Sequence, residues 1–133
     1  MARQAFFPDP NKKPSGFSPA TRVGNTVHVS GQVALDASGK LVGAGDGKAQ
    51  AEQCFRNLEA ALKAAGGVMD DLVKITCFLV NVDDYPAYAA VRQRLFPSNG
   101  PASSTVVIKA LVKPEFLIEI EGVALLSQPT SAA

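Results

Sequence analysis

Three runs rich in β-branched and apolar residues, Leu72–Val80, Val106–Val112 and Leu117–Leu126, carry apolar side chains on both faces, while only two stretches of the chain have helical periodicity. Side chains along a strand alternate between two surfaces, so a sheet built from these runs has two faces to cover. Two helices cover one. The count predicts an α+β chain, with two helices on one face of a mixed or antiparallel sheet and the other face buried by a second copy of the chain.

The helical stretches are distinct. From Lys48 to Ala65, apolar residues recur at Ala51, Phe55, Leu58, Leu62 and Ala65, with Glu52, Arg56, Glu59 and Lys63 on the other side, and Gly66-Gly67 supplies a stop. A second helix begins at Asp83 or Asp84 and tolerates Pro86 in its first turn. Its stripe is Tyr85, Tyr88, Ala89, Arg92, Leu95 and Phe96, ended by Pro97–Gly100. Between them, Leu72–Val80 reads as a central strand buried on both faces. Thr26–Ser30 alternates as a half-buried strand, and Ala5-Phe6-Phe7 is a candidate short one. The glycine-rich segment Gly43–Gly47 lacks the preceding strand and following Lys-Ser/Thr of a phosphate-binding loop, and reads as a connector.

After the turn signal Asn99-Gly100-Pro101, Ser103–Ala110 alternates Ser103, Thr105, Val107 against Ser104, Val106, Ile108. Beyond the break at Lys113-Pro114, Leu117–Ala124 puts Glu119 and Glu121 together on one face. The two runs are expected to pair as a closing hairpin, bringing carboxylates opposite hydroxyls in the best candidate site of the chain. Gln128–Ala133 reads as a polar tail.

The totals bound the function. A chain of 133 residues is expected to form one domain over its whole length. A net charge of +1 gathers neither nucleic acid nor anionic lipid. No apolar run reaches the ~20 residues of a membrane helix, and no secretory leader is visible, so a cytoplasmic protein is expected. Cys54 and Cys77 lack metal-type spacing and read as reduced core residues; His28, alternating with Val27 and Val29, reads as an ordinary strand residue.

Several stretches, in order and spacing, resemble the RidA (YjgF, or endoribonuclease L-PSP) family. They are Gly16-Phe17-Ser18-Pro19-Ala20, Val23-Gly24-Asn25, Val29-Ser30-Gly31-Gln32, Asn57-Leu58, Ala64-Ala65-Gly66, Asp71–Thr76, Gly100-Pro101-Ala102, Leu111–Pro114 and Ile118–Glu121. The resemblance implies a chorismate-mutase-like fold and a homotrimer whose sheets form a central barrel, with pockets at subunit interfaces. It also implies hydrolysis of reactive imino or enamino acids to oxo acids and ammonia, without metal or cofactor. By the same resemblance Glu119 and Ser30 are the catalytic candidates, and Phe17, Gly31, Ser103 and Thr105 the candidates for binding substrate, to which the stripe of the second helix adds Arg92.

The departures from the family pattern are specific. Ser103 stands where an arginine would clamp the substrate carboxylate, Phe17 where a tyrosine is usual, Thr105 where a cysteine is usual and Ala89 where an asparagine is common. The expected substrate is therefore a small enamine or imine other than the ordinary 2-imino acids. Two alternatives stay open at this level. Glu119 is either the proton-handling group or a structural carboxylate in a non-catalytic, trimeric ligand-binding or chaperone-like member. Arg92 either snorkels to the surface or takes over the missing clamp. Ribonuclease action has no support from a histidine pair or from a phosphate-attracting charge.

Overall fold

The computed structural model describes residues 2–127. Six strands form one sheet: β1 (Gln4–Phe6), β2 (Ala20–Val23), β3 (Thr26–Gln32), β4 (Leu72–Leu79), β5 (Ala102–Val107) and β6 (Ile118–Leu125). Their spatial order is β1-β2-β3-β6-β4-β5. All neighbours are antiparallel except β4 and β5, which run parallel. Two helices, α1 (Gly47–Ala64) and α2 (Tyr85–Leu95), complete the α+β architecture.

The expected closing hairpin does not form. β6 lies between β3 and β4, while β5 pairs with β4 on its far side. The reason is the crossover: helix α2 carries the chain from the end of β4 back to its start, and a strand entering after such a crossover adds in parallel. β5 is also shorter than the Ser103–Ala110 run, although the Ile108 amide still donates to the Leu79 carbonyl at 2.8 Å.

Helix α1 is fixed at both ends. Asp46 is extended (φ −121°) and its carboxylate accepts the Ala49 amide at 3.1 Å. At the other end Gly66, at φ +91°, lets its own amide reach the Lys63 carbonyl at 3.0 Å and the Gly67 amide reach the Leu62 carbonyl at 2.8 Å. This is a Schellman stop, and glycine alone takes that φ without strain. The inner face of α1 buries Ala51, Cys54, Phe55, Leu58, Ala61 and Leu62. They meet Val27, Val29, Ile75, Cys77, Ile118 and Ile120 on the sheet. Burying a large aliphatic side chain in this way contributes roughly 1.5–3 kcal/mol. Helix α2 joins through Phe55, whose ring stacks on Tyr88 at 6.0 Å and meets Phe96 edge-on at 6.1 Å. The expected stripe of α2 needs correction, because its buried residues are Tyr88 and Val91.

Both helices cover one face. The other presents His28, Thr76, Phe78, Glu119, Glu121 and Val123. The expectation that β4 is buried on both faces is therefore corrected for the single chain: Leu72, Ile75, Cys77 and Leu79 are buried, but Lys74, Thr76 and Phe78 are only half-buried. Apolar residues stand exposed around this surface, with Val73 at 48%, Val106 at 44% and Leu125 at 56%.

Candidate functional site

The candidate residues fall into two groups on opposite faces of the sheet. The first lies where β3 meets β6. Val29 pairs with Gly122 and Gln32 with Ile120, so Ser30 and Gly31 together oppose Glu121 in a β-bulge. The Ser30 amide donates to the Pro19 carbonyl at 2.9 Å and its hydroxyl to the Ser18 carbonyl at 2.6 Å. These bonds fasten the loop carrying Phe17, whose ring is 61% exposed. Gly31 stands so close to the Glu119 carboxylate that a Cβ there would collide with it. Glu119 is half-buried on the uncovered face, and burial, reinforced by the nearby Glu121 charge, holds its carboxyl above the ordinary carboxylate value.

The second group lies at the opposite edge, between α2 and β5. The register pairs Ser103 with Ile75 and Thr105 with Cys77, which turns both hydroxyls to the helix side. There they line a concavity of about 710 Å3 with Tyr85, Ala89, Arg92 and Phe96. Its volume is within the range of small-molecule sites. Arg92 does not snorkel away. Its guanidinium donates to the Ser103 hydroxyl at 3.3 Å and to the Tyr85 hydroxyl at 3.2 Å, and lies 5.8 Å and 5.1 Å from the Tyr85 and Tyr88 ring centres. Tyr88 is fully buried; its hydroxyl makes no hydrogen bond of normal geometry among the described residues, although Arg92, Ser103 and Cys77 surround it.

Glu119 and Glu121 share a face as expected. Among the hydroxyls on that same face are Thr76, paired with Glu121, and Ser104, which accepts from Lys74 at 2.7 Å. Ser103 and Thr105 do not join them. Cys54 and Cys77 are buried and free, and burial pushes Cys77 up to about 12, so neither thiol is a ready nucleophile. His28 is exposed on the open face, and among the described residues no cluster of three or more His, Cys, Asp or Glu is placed to hold a metal ion.

Sequence reasoning missed Gln50. It is fully buried, donates to the Gly43 and Glu115 carbonyls at 3.0 and 3.1 Å, and accepts the Leu117 amide at 2.9 Å. The signal was present: Gln50 lies four residues before Cys54 and eight before Leu58, on the same stripe of α1.

A small α+β domain with a carboxylate on an open sheet face and a polar concavity at the sheet edge has known relatives. Residues 10–126 match the family model described as Endoribonuclease L-PSP. The chain belongs to this family, that of the RidA/YjgF proteins. It is 36% identical to a 2-iminobutanoate/2-iminopropanoate deaminase of Dermatophagoides farinae, over 83% of this chain and 85% of that one. It is also 36% identical to the 3-aminoacrylate deaminase RutC of Acinetobacter baylyi, over 93% and 98%. Among solved structures, RidA from an Antarctic Psychrobacter superposes with a TM-score of 0.81 at 34% identity, covering 92% of this chain and 99% of that one. Among the described residues, no helix is long and apolar enough to cross a membrane.

Proposed function

We propose that this chain is a cytoplasmic, cofactor-independent hydrolase of the deaminase type, acting on a small imine or enamine other than the ordinary 2-imino acids. The observation that carries the reading is the half-buried Glu119, seated against Gly31 with its carboxyl held above the usual value, in a chain 36% identical to two enzymes named as deaminases. An enamine first takes up a proton at carbon to give the C=N form; water then adds to the C=N carbon, the nitrogen gains a proton, and the tetrahedral adduct collapses to a carbonyl and ammonia. Glu119 takes the proton from water and passes it to nitrogen, then takes the adduct's hydroxyl proton and delivers it to the same nitrogen as ammonia leaves. The substrate class moves away from 2-imino acids because β5 offers the Ser103 hydroxyl where a guanidinium would otherwise grip a carboxylate.

The two groups of site residues face opposite ways in one chain, so the reading requires Glu119 of one copy to complete the concavity of another. A homotrimer closing its open sheet faces into a chorismate-mutase-like barrel satisfies this, with pockets between subunits. The uncovered face with its exposed Val73, Val106 and Leu125 supports such an assembly.

A mixing experiment tests both parts. Ammonia release from freshly generated imines and enamines is measured for wild type, for Glu119→Gln, for Ala89→Trp, which fills the concavity, and for the two variants unfolded and refolded together. Each variant alone should be inactive, and the mixture should recover part of the wild-type rate through hybrid sites. No recovery would place both halves within one chain, and a wild type inert on every imine and enamine would instead mark a non-catalytic ligand-binding protein.

A further inference from the structure

We propose that Arg92 is the anion receptor of the concavity, and that the ligand bound there carries a carboxylate gripped from helix α2. This rests on the hydrolase reading only for what happens to that ligand afterwards. Three observations support it. Arg92 has no carboxylate partner among the described residues, where the ion pairs are Lys63 with Glu59 and Arg94 with Glu52. Of the five guanidinium N–H groups, one goes to Ser103 and one to Tyr85, leaving three for a ligand. Both partners are neutral, so the positive charge is positioned without being cancelled. A half-buried arginine in a ligand-sized hollow with no counter-ion is a pre-organised site for an anion, because its ordering is complete before the ligand arrives.

Tyr88 supplies a further, independent pointer. Its buried hydroxyl lacks a hydrogen bond beside Arg92 and Ser103, and a buried polar group left unpaired is costly in a finished site. A carboxylate held by Arg92 offers an acceptor close to this phenol. Burial keeps the phenol in its neutral, donating form by pushing its ionisation up. Ser103 changes meaning accordingly: its hydroxyl accepts from Arg92 and fixes the direction of the fork. The acid group is then held at a point set back from the strand, which suits a carboxylate-bearing substrate outside the ordinary 2-imino acids.

The test is a binding measurement, independent of turnover. Full-length protein is titrated by calorimetry with 4-oxopentanoate, a stable oxo acid, and with its neutral isostere 4-oxopentanamide. Wild type should favour the acid by about 10- to 100-fold, and Arg92→Gln should abolish the preference, with the acid bound no more tightly than the amide. Arg92→Lys, which keeps the charge and loses the fork, should retain a reduced preference and guards against a folding defect in the glutamine variant. Equal affinities in wild type, or a preference that survives in Arg92→Gln, would overturn the proposal. A wild type that prefers the acid through Arg92 yet releases ammonia from no imine or enamine would sink the hydrolase reading and leave the receptor standing.

Discussion

Glu119→Gln lowers kcat for imine or enamine hydrolysis by about 10²- to 10⁴-fold, the usual contribution of a positioned acid–base group. Glutamine keeps the shape and can hydrogen-bond water, but cannot move the proton. The fold is expected to survive. Glu119 is held above the ordinary carboxylate value by burial and by Glu121, so the folded chain binds that proton more tightly than the unfolded chain does. Its contribution to stability is therefore fullest below the unfolded value and is lost as pH rises through the raised folded value. At neutral pH the ionised group opposes folding, and Glu119→Gln should melt no lower than wild type. Thermal melts at pH 4 and pH 7 check the sign: the variant should gain on wild type as pH rises. Gly31→Ala supplies the positional counterpart, because its methyl displaces the carboxylate without changing its chemistry. A kcat within threefold of wild type in Glu119→Gln would remove this residue from the mechanism.

The second large effect is on stability. Gln50→Leu keeps the bulk of the side chain but leaves the Gly43 and Glu115 carbonyls and the Leu117 amide without their partner. Each buried polar group so stranded costs roughly 1–3 kcal/mol, with water recovering part of it, and a net loss of about 3 kcal/mol lowers Tm by about 10 °C. Gln53→Ala is the control. Gln53 donates to the Leu35 carbonyl at 3.2 Å and to Asn57, yet it is only half-buried, and water replaces what it loses. Calorimetry of both variants decides the matter, and a Gln50→Leu melt within 3 °C of wild type would show that the amide is not what joins α1 to the start of β6.

Much of this architecture was legible. The apolar repeat of Ala51, Phe55, Leu58 and Leu62 defined α1, and the alternation through Glu119 and Glu121 placed both carboxylates on one face. Pairing was not legible, because alternation tells which residues share a face and nothing about which strand lies alongside. The turn signals at Asn99–Pro101 and Lys113-Pro114 suggested a hairpin, whereas the crossover through α2 decided the neighbours. The same limit applies to the site. That Ser103, Thr105 and Glu119 bear functional groups was visible, but the sheet order puts β4 between their strands, with the first two side chains on the helix side and the third on the open side. Arg92 was visible as one member of a helical stripe and as a candidate for the missing clamp, but its partners were not. Its meeting with Ser103 depends on an edge strand passing that stripe, and no local pattern encodes this.

The position of β6 bears on how the protein is made. The strand that comes sixth in the described chain is inserted between β3 and β4, with long ladders on both sides. Until residues 118–125 emerge, β2 and β3 have no connection to β4 and β5, and the inner face of α1 lacks Ile118 and Ile120 beneath it. Loop-closure entropy must be met before such distant strands reward it, and half-made sheets expose open edges. Completion of the sheet thus waits on residues 118–125, and nascent chains stalled before Ile118 present two unjoined hemisheets to the chaperones of the cell.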